Sequence, residues 1–196
     1  MKLRLVTGPT QEPLTLENAK LHARIDTDDD DKLCMELIKA ARRWIETQTH
    51  RALITSTWDY TIDEGWPYTA SGQQKIVLPV NPVASITSII YQDGTSPNPT
   101  LAASQYTASL GDFGSYIVPA YNVDWPTTLC VPEAATVRFV AGEAVGVMDS
   151  ALLMALTMLF THLYERRDAA TEKSLQAIPY GIEALVSPYR PARIMS

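Results

Sequence analysis

The spacing of apolar residues along the chain changes character twice. LTLENAKLHAR, residues 14–24, predicts a short helix with Thr15 as N-cap, Leu14 before it and Ala19 at the staple position. A second helix follows an aspartate run: Leu33, Leu37, Ala41, Trp44, Ile45 and Gln48 recur at three- and four-residue spacing until near His50. Arg42, Arg43 and Glu46 take the opposite side of that helix. From about Thr55 the period falls to two, with Trp58, Tyr60 and Ile62 on one face of a strand and Thr57, Asp59 and Thr61 on the other. KIVLPV, SITSIIYQDG, QYTAS, SYIVPAY and ATVRFVAG are further strand candidates, separated by Pro- and Gly-containing turns such as Asp93-Gly94. Helical spacing returns after the cap pair Asp149-Ser150, where Leu152, Leu153, Leu156, Leu159, Phe160 and Leu163 leave few polar sides. Pro179, Pro188 and Pro191 bound a last short helix, GIEALV, and a basic tail, SPYRPARIMS.

This order, helices then strands then helices, predicts an α+β fold. The N- and C-terminal helices, residues 1–55 and 145–196, form one helical bundle, because neither set can bury its apolar face alone. Residues 56–144 form an inserted antiparallel β domain, a sandwich or small barrel.

Composition sharpens that division. The chain has 196 residues and a formal net charge of -6. Lys+Arg and Asp+Glu number nine and nine over residues 1–55, two and seven over 56–142, and five and six over 143–196. The middle segment also holds eight of the thirteen prolines. An acidic balance is unsuited to coating nucleic acid. Cys34 and Cys130 are too far apart for a metal or disulfide framework, which predicts reduced thiols made in a cytoplasm. MKLRLVTGPT lacks the apolar stretch of a signal peptide, and Ala151 to Phe160 is too short to span a bilayer.

Candidate chemistry is sparse. Asp26, Asp28 and Asp30 fit the first, third and fifth positions of a calcium loop, but Asp31 stands where glycine is needed and Leu37 where glutamate is needed. The run therefore predicts an acidic helix start facing free amides and the helix dipole. His22, His50 and His162 lie on separate helical segments without metal spacing. Asp63-Glu64 beside Trp66 would supply a hydrolase with a carboxylate pair, or a binding module with a sugar platform, and an exposed strand end explains them equally well. The aromatic residues Trp58, Trp66, Tyr68, Tyr91, Tyr116, Tyr121 and Trp125 suit strand-core packing or an interface. Arg166-Arg167 end the long helix, and Arg190 and Arg193 lie in the tail, where docking on a partner is one use. No catalytic residue, metal or cofactor is expected, so the chain reads as a non-enzyme. The alternative reading is a carbohydrate- or metal-binding module built on the acidic, aromatic β domain.

An ordered series of stretches resembles a known group. PLTLENAKLHARID with its aspartates, LIKAARRWIETQTHRALITSTWDYTID, LPVNPVASITSIIYQDG, the pair Trp125-Pro126, VRFVAG, ALLMALTMLFTHLYERRD and the PYRPAR ending are similar to the head-tail connector (adaptor) proteins of long-tailed phages, of gp6-like type. The resemblance implies a structural subunit of a ring, usually a dodecamer, in the neck of a tailed phage, a prophage or a gene transfer agent. Its implied partners are the portal, copies of itself, a stopper or tail-terminator neck protein, and passing double-stranded DNA held without specific contacts. No membrane is implied, and the virion neck is reached after assembly in the bacterial cytoplasm. The expected partner-binding residues are Arg166, Arg167, Tyr180, Pro188, Tyr189, Arg190 and Arg193, with the C-terminal segment Ser187 to Met195 toward the portal.

Overall fold

A computed structural model describes residues 1–67, 74–166 and 179–191. They form two compact units, a β unit from Met1–Pro9 with Thr55–Glu143 and a helical unit within Thr10–Ile54 and Ala144–Ala192.

The β unit contains β1 (Lys2–Thr7), β2 (Ser56–Ile62), β3 (Ile76–Val77), β4 (Val83–Tyr91), β5 (Tyr106–Ser109), β6 (Tyr116–Pro119) and β7 (Ala135–Ala141). Four strands make an antiparallel sheet in the order β1-β2-β7-β4, and three make a second in the order β3-β6-β5. Neither sheet closes into a barrel. Along β7, Ala135, Val137, Phe139 and Ala141 are buried and alternate with half-buried Thr136, Arg138 and Val140. Each large apolar side chain removed from water in this way contributes about 1.5–3 kcal/mol. The register aligns Phe139 with Trp58 and Val137 with Tyr60, so the two strands share one apolar face.

The N-terminal strand is the first departure from the sequence expectation, which put residues 1–9 with the helices. Lys2 to Leu5 pair in antiparallel register with Thr61 to Trp58. KLRLVT alternates cationic and apolar residues, a strand pattern, but an isolated six-residue run needs a neighbouring ladder to become one. KIVLPV yields only the two-residue β3, since Pro79 and Pro82 carry no N–H for a ladder. Asp59 is a third departure: placed on the polar side of β2, it is buried, because Arg4 and Arg138 on the flanking strands both reach over it.

The helical unit contains α1 (Leu16–Ala23), α2 (Asp31–Thr49), α3 (Ser150–Glu165) and α4 (Tyr180–Val186). Thr15 caps α1, its hydroxyl accepting from the Asn18 N–H at 3.2 Å, and Leu14 and Ala19 are buried beside it. Asp149 caps α3, accepting from the Ala151 N–H at 2.8 Å. The core joins Cys34, Ile38, Ala41 and Ile45 of α2 to Leu152, Ala155, Leu156, Leu159 and Phe160 of α3, with Ile182 and Val186 of α4.

The buried face of α2 is rotated by about one residue from the sequence expectation. Leu33 is exposed and Gln48 half-buried, while Cys34, Ile38 and Thr49 are buried. Two adjacent rows on α2 are largely apolar, and the row carrying the small residues Cys34 and Ala41 allows the closer approach of a neighbouring helix. The Thr49 hydroxyl is satisfied internally by the Ile45 carbonyl at 2.8 Å.

Candidate partner-binding surfaces

The residues expected to meet a partner end up in different settings. Arg166 caps α3 at its C-terminal end, its N–H donating to the His162 carbonyl at 3.2 Å. Tyr180 is the first residue of α4 and is 88% exposed. Pro188 is exposed in the 3-10 turn Ser187–Tyr189 that continues α4. Tyr189 and Arg190 are held by their own unit. The Arg51 guanidinium lies 5.8 Å from the Tyr189 ring centre, and the Tyr189 hydroxyl donates to Asp149. Arg190 donates to Gln48 at 2.9 Å and to Glu183 at 2.8 Å. Arg167 and Arg193 lie outside the described residues, as does Tyr68 of the aromatic set.

Three charged clusters tie the elements together, and of their contacts only the Arg42–Glu46 pair, one helical turn apart, is signalled by sequence spacing. Lys20 of α1 donates to Asp28 at 2.6 Å and Asp31 at 2.7 Å, which holds the Asp28 carboxyl below the usual carboxylate range. Asp30, the N-cap of α2, makes no side-chain cap bond and accepts instead from the Tyr164 hydroxyl at 2.9 Å. The aspartate run therefore ties α1 and α3 to the start of α2, with Asp31 in the first turn still favoured by the helix dipole.

Arg42, expected on the solvent side of α2, is buried. Its guanidinium donates to Glu12 at 2.7 Å and to Glu46 at 2.8 Å. Glu46 also accepts from the Leu53 N–H at 3.1 Å. Burial raises the Glu46 carboxyl above its ordinary value, with Arg42 and the Leu53 amide opposing. In the β unit, Asp59 accepts two bonds from Arg138, at 2.7 and 2.8 Å, and one from Arg4 at 3.1 Å. The bonds from Arg138, then Arg4, hold its carboxyl below its ordinary value despite burial.

The carboxylate pair is not arranged for acid–base work. Asp63 accepts from the Glu133 N–H at 2.9 Å and from the Met1 amino group at 2.6 Å. Glu64 sits in a left-handed turn (φ 61) with its N–H donated to the Val131 carbonyl. Trp66 stacks on Trp125 with ring centres 4.6 Å apart, and its indole N–H donates to the Pro126 carbonyl at 2.7 Å. Packing thus accounts for these rings. Among the described residues no group of His, Cys, Asp and Glu is placed to hold a metal ion, and no helix is long and apolar enough to cross a membrane.

Exposed apolar residues remain on both units. Leu21 of α1 is 77% exposed and borders an open cleft with Leu16, Lys20 and Ile25. In the β unit, every residue of β1 is exposed, including Leu3, Leu5 and Val6, and Leu110, Phe113 and Tyr121 project from turns.

Three comparisons bear on these surfaces. No curated protein matches the chain. Among solved structures, it is similar to a chain from the neck of an empty gene transfer agent (GTA) particle computed with C6 symmetry, at 23% identity and a TM-score of 0.81. It is also similar to a chain from the neck of a native GTA particle computed with C12 symmetry, at 22% identity and a TM-score of 0.79, and to one from a native GTA virion, at 23% and 0.78. Each likeness covers 100% of this chain and 98% of the other, so the α+β architecture is shared end to end. The family resemblance read from the sequence is borne out over residues 13–96, where the chain matches the model of the phage gp6-like head-tail connector proteins.

Proposed function

We propose that the chain is a structural, non-enzymatic head-tail connector subunit that forms a ring in the neck of a tailed phage or phage-like particle. The observation that carries this reading is the agreement of two independent likenesses, to the connector family over residues 13–96 and to GTA neck chains over the full length. The neck structures computed with C6 and C12 symmetry support a rotationally repeated subunit. Such a ring needs two different faces on each copy, which a chain built of a helical unit and a β unit can supply.

The portal is proposed as the partner above the ring, and a stopper or tail-terminator protein as the partner below. Exposed Tyr180 and Pro188, with Arg166, Arg167 and Arg193, are the proposed portal contacts, while Tyr189 and Arg190 position that segment. Double-stranded DNA passes without specific contacts, favoured by the net charge of -6, because like charge weakens phosphate binding.

Electron microscopy and native mass measurement of the full chain mixed with a candidate portal protein test the proposal. The expected result is a closed ring on the portal, weakened by Tyr180→Ala. Absence of any portal complex at high concentration overturns it.

A further inference from the structure

The β unit offers few strand edges to a partner, and most are closed. β3 is only two residues long. The outer side of β4 is covered near its end: the Leu101 N–H donates to Ile89, the Tyr91 N–H donates to Pro99, and Thr100 bridges to Ile90. The rest of β4 is interrupted by register shifts between Val83 and Ser85 and between Ile86 and Ser88, which spoil a template for pairing. Among the described residues two edges are left, β1 at the margin of the four-stranded sheet and β5 at the margin of the three-stranded one.

These two edges match. β1 is regular from Lys2 to Leu5 before its register shifts, and β5 is regular from Tyr106 to Ser109. Neither contains proline or an acidic residue. The cations that would guard β1 are drawn back onto their own sheet, Lys2 to Glu133 at 3.0 Å and Arg4 to Asp59 at 3.1 Å. Asp59 also takes two bonds from Arg138, so two guanidiniums share one carboxylate and the cluster keeps a net positive charge, with the Arg4 side chain 74% exposed. β5 is uncharged, and the only charge in the loop that continues it, Leu110 to Gly114, is Asp112. Apolar surface is present on both sides, with Leu3 41% and Leu5 37% exposed on β1, and Leu110 and Phe113 exposed beyond β5.

The geometry points to a strand-to-strand contact between copies of this chain, in which the outer edge of β1 in one copy pairs with the outer edge of β5 in the next. Backbone bonds along two four-residue edges set the contact, and the exposed leucines of β1 are covered by the incoming hairpin. The occupant is a second copy because one unit carries both edges on different sheets, which is the requirement for a head-to-tail ring. The inference rests on the connector reading and names the contact by which the ring is closed.

Hydrogen exchange of the full chain, read by mass spectrometry in dilute and assembled samples, tests it. In the assembled sample the outward-facing amides within residues 2–5 and 106–109, those not already bonded to β2 or β6, are expected to exchange about tenfold more slowly. Leu5→Asp and Thr107→Asp, each at an exposed site, are expected to raise the concentration needed for assembly about tenfold, with melting temperature unchanged. Leu129→Asp, at an exposed apolar site away from both edges, is expected to leave assembly as it was. Assembly with the β1 and β5 amides still open, assembly undisturbed by both edge substitutions, or a wild-type chain that stays single at millimolar concentration overturns the contact. A portal-bound ring with open β1 and β5 edges removes this inference and leaves the connector reading. Assembly through these edges without portal binding does the reverse.

Discussion

Asp59 and Glu46 are carboxylates held by arginines: Asp59 by Arg4 and Arg138 from distant parts of the chain, and Glu46 by Arg42 one turn earlier on its own helix. For Asp59 the partners are on the two flanking strands, in direct register through the pairs Arg4–Asp59 and Asp59–Arg138. Asp59→Asn keeps the shape and removes the charge that two guanidiniums share. It is expected to lower the stability of the β unit by about 2 kcal/mol, below the full value for a buried pair because both arginines are partly exposed. A urea titration followed by tryptophan fluorescence measures this. The two carboxylates also act on pH dependence with opposite sign. The Asp59 pKa is depressed, so its contribution is present above the ordinary value of 3.8 and is lost as pH falls through the depressed native value. The Glu46 pKa is raised, so its contribution is present below the ordinary value of 4.5 and is lost as pH rises through the raised native value. Urea midpoints from about pH 3 to pH 7 should show Asp59→Asn flattening the acid limb and Glu46→Gln flattening the limb above 4.5.

At the scale of elements, caps are the most legible features and faces the least. The Thr15 cap follows from its place before LENAK and from the hydroxyl that serves the Asn18 amide, so Thr15→Ala is expected to cost about 1 kcal/mol, read as a lower melting temperature. The aspartate run was legible as a helix start, but its main work is tertiary. Lys20 and Tyr164, on α1 and α3, choose Asp28, Asp31 and Asp30 as partners. Replacing Asp28 to Asp31 with alanine is therefore expected to speed amide exchange at both α1 and the start of α2. Calcium should shift neither the wild-type nor the variant melting temperature, and a calcium shift lost in the variant would restore the calcium-loop idea. The rotation of α2 was not legible, because the periodicity of Leu33, Leu37, Ala41 and Trp44 overlaps that of Cys34, Ile38, Ala41 and Ile45. Only the neighbour decides which of two apolar rows is buried. Leu156→Ala, beneath that contact and with no exposed surface, is expected to lose 2–5 kcal/mol of helical-unit stability, roughly the cost of an unrelaxed core cavity, measurable by circular dichroism in urea.

At the scale of the whole molecule, the sequence by itself determined the alternation of helical and strand segments, the insertion of a proline-rich, lightly charged β segment between helices, and the ordered family resemblance. These are properties of local spacing and composition, which a chain displays before it folds. Tertiary structure alone decided that residues 2–7 leave the helices and become a sheet margin, since a strand exists only where another strand supplies its hydrogen bonds. It also decided that Arg42 and Asp59 are buried, because a charge goes inside only where distant partners converge to replace water. The proposed ring contact belongs to the same class: an open edge is the absence of a pairing on one side, and no run of residues announces which strands will end a sheet.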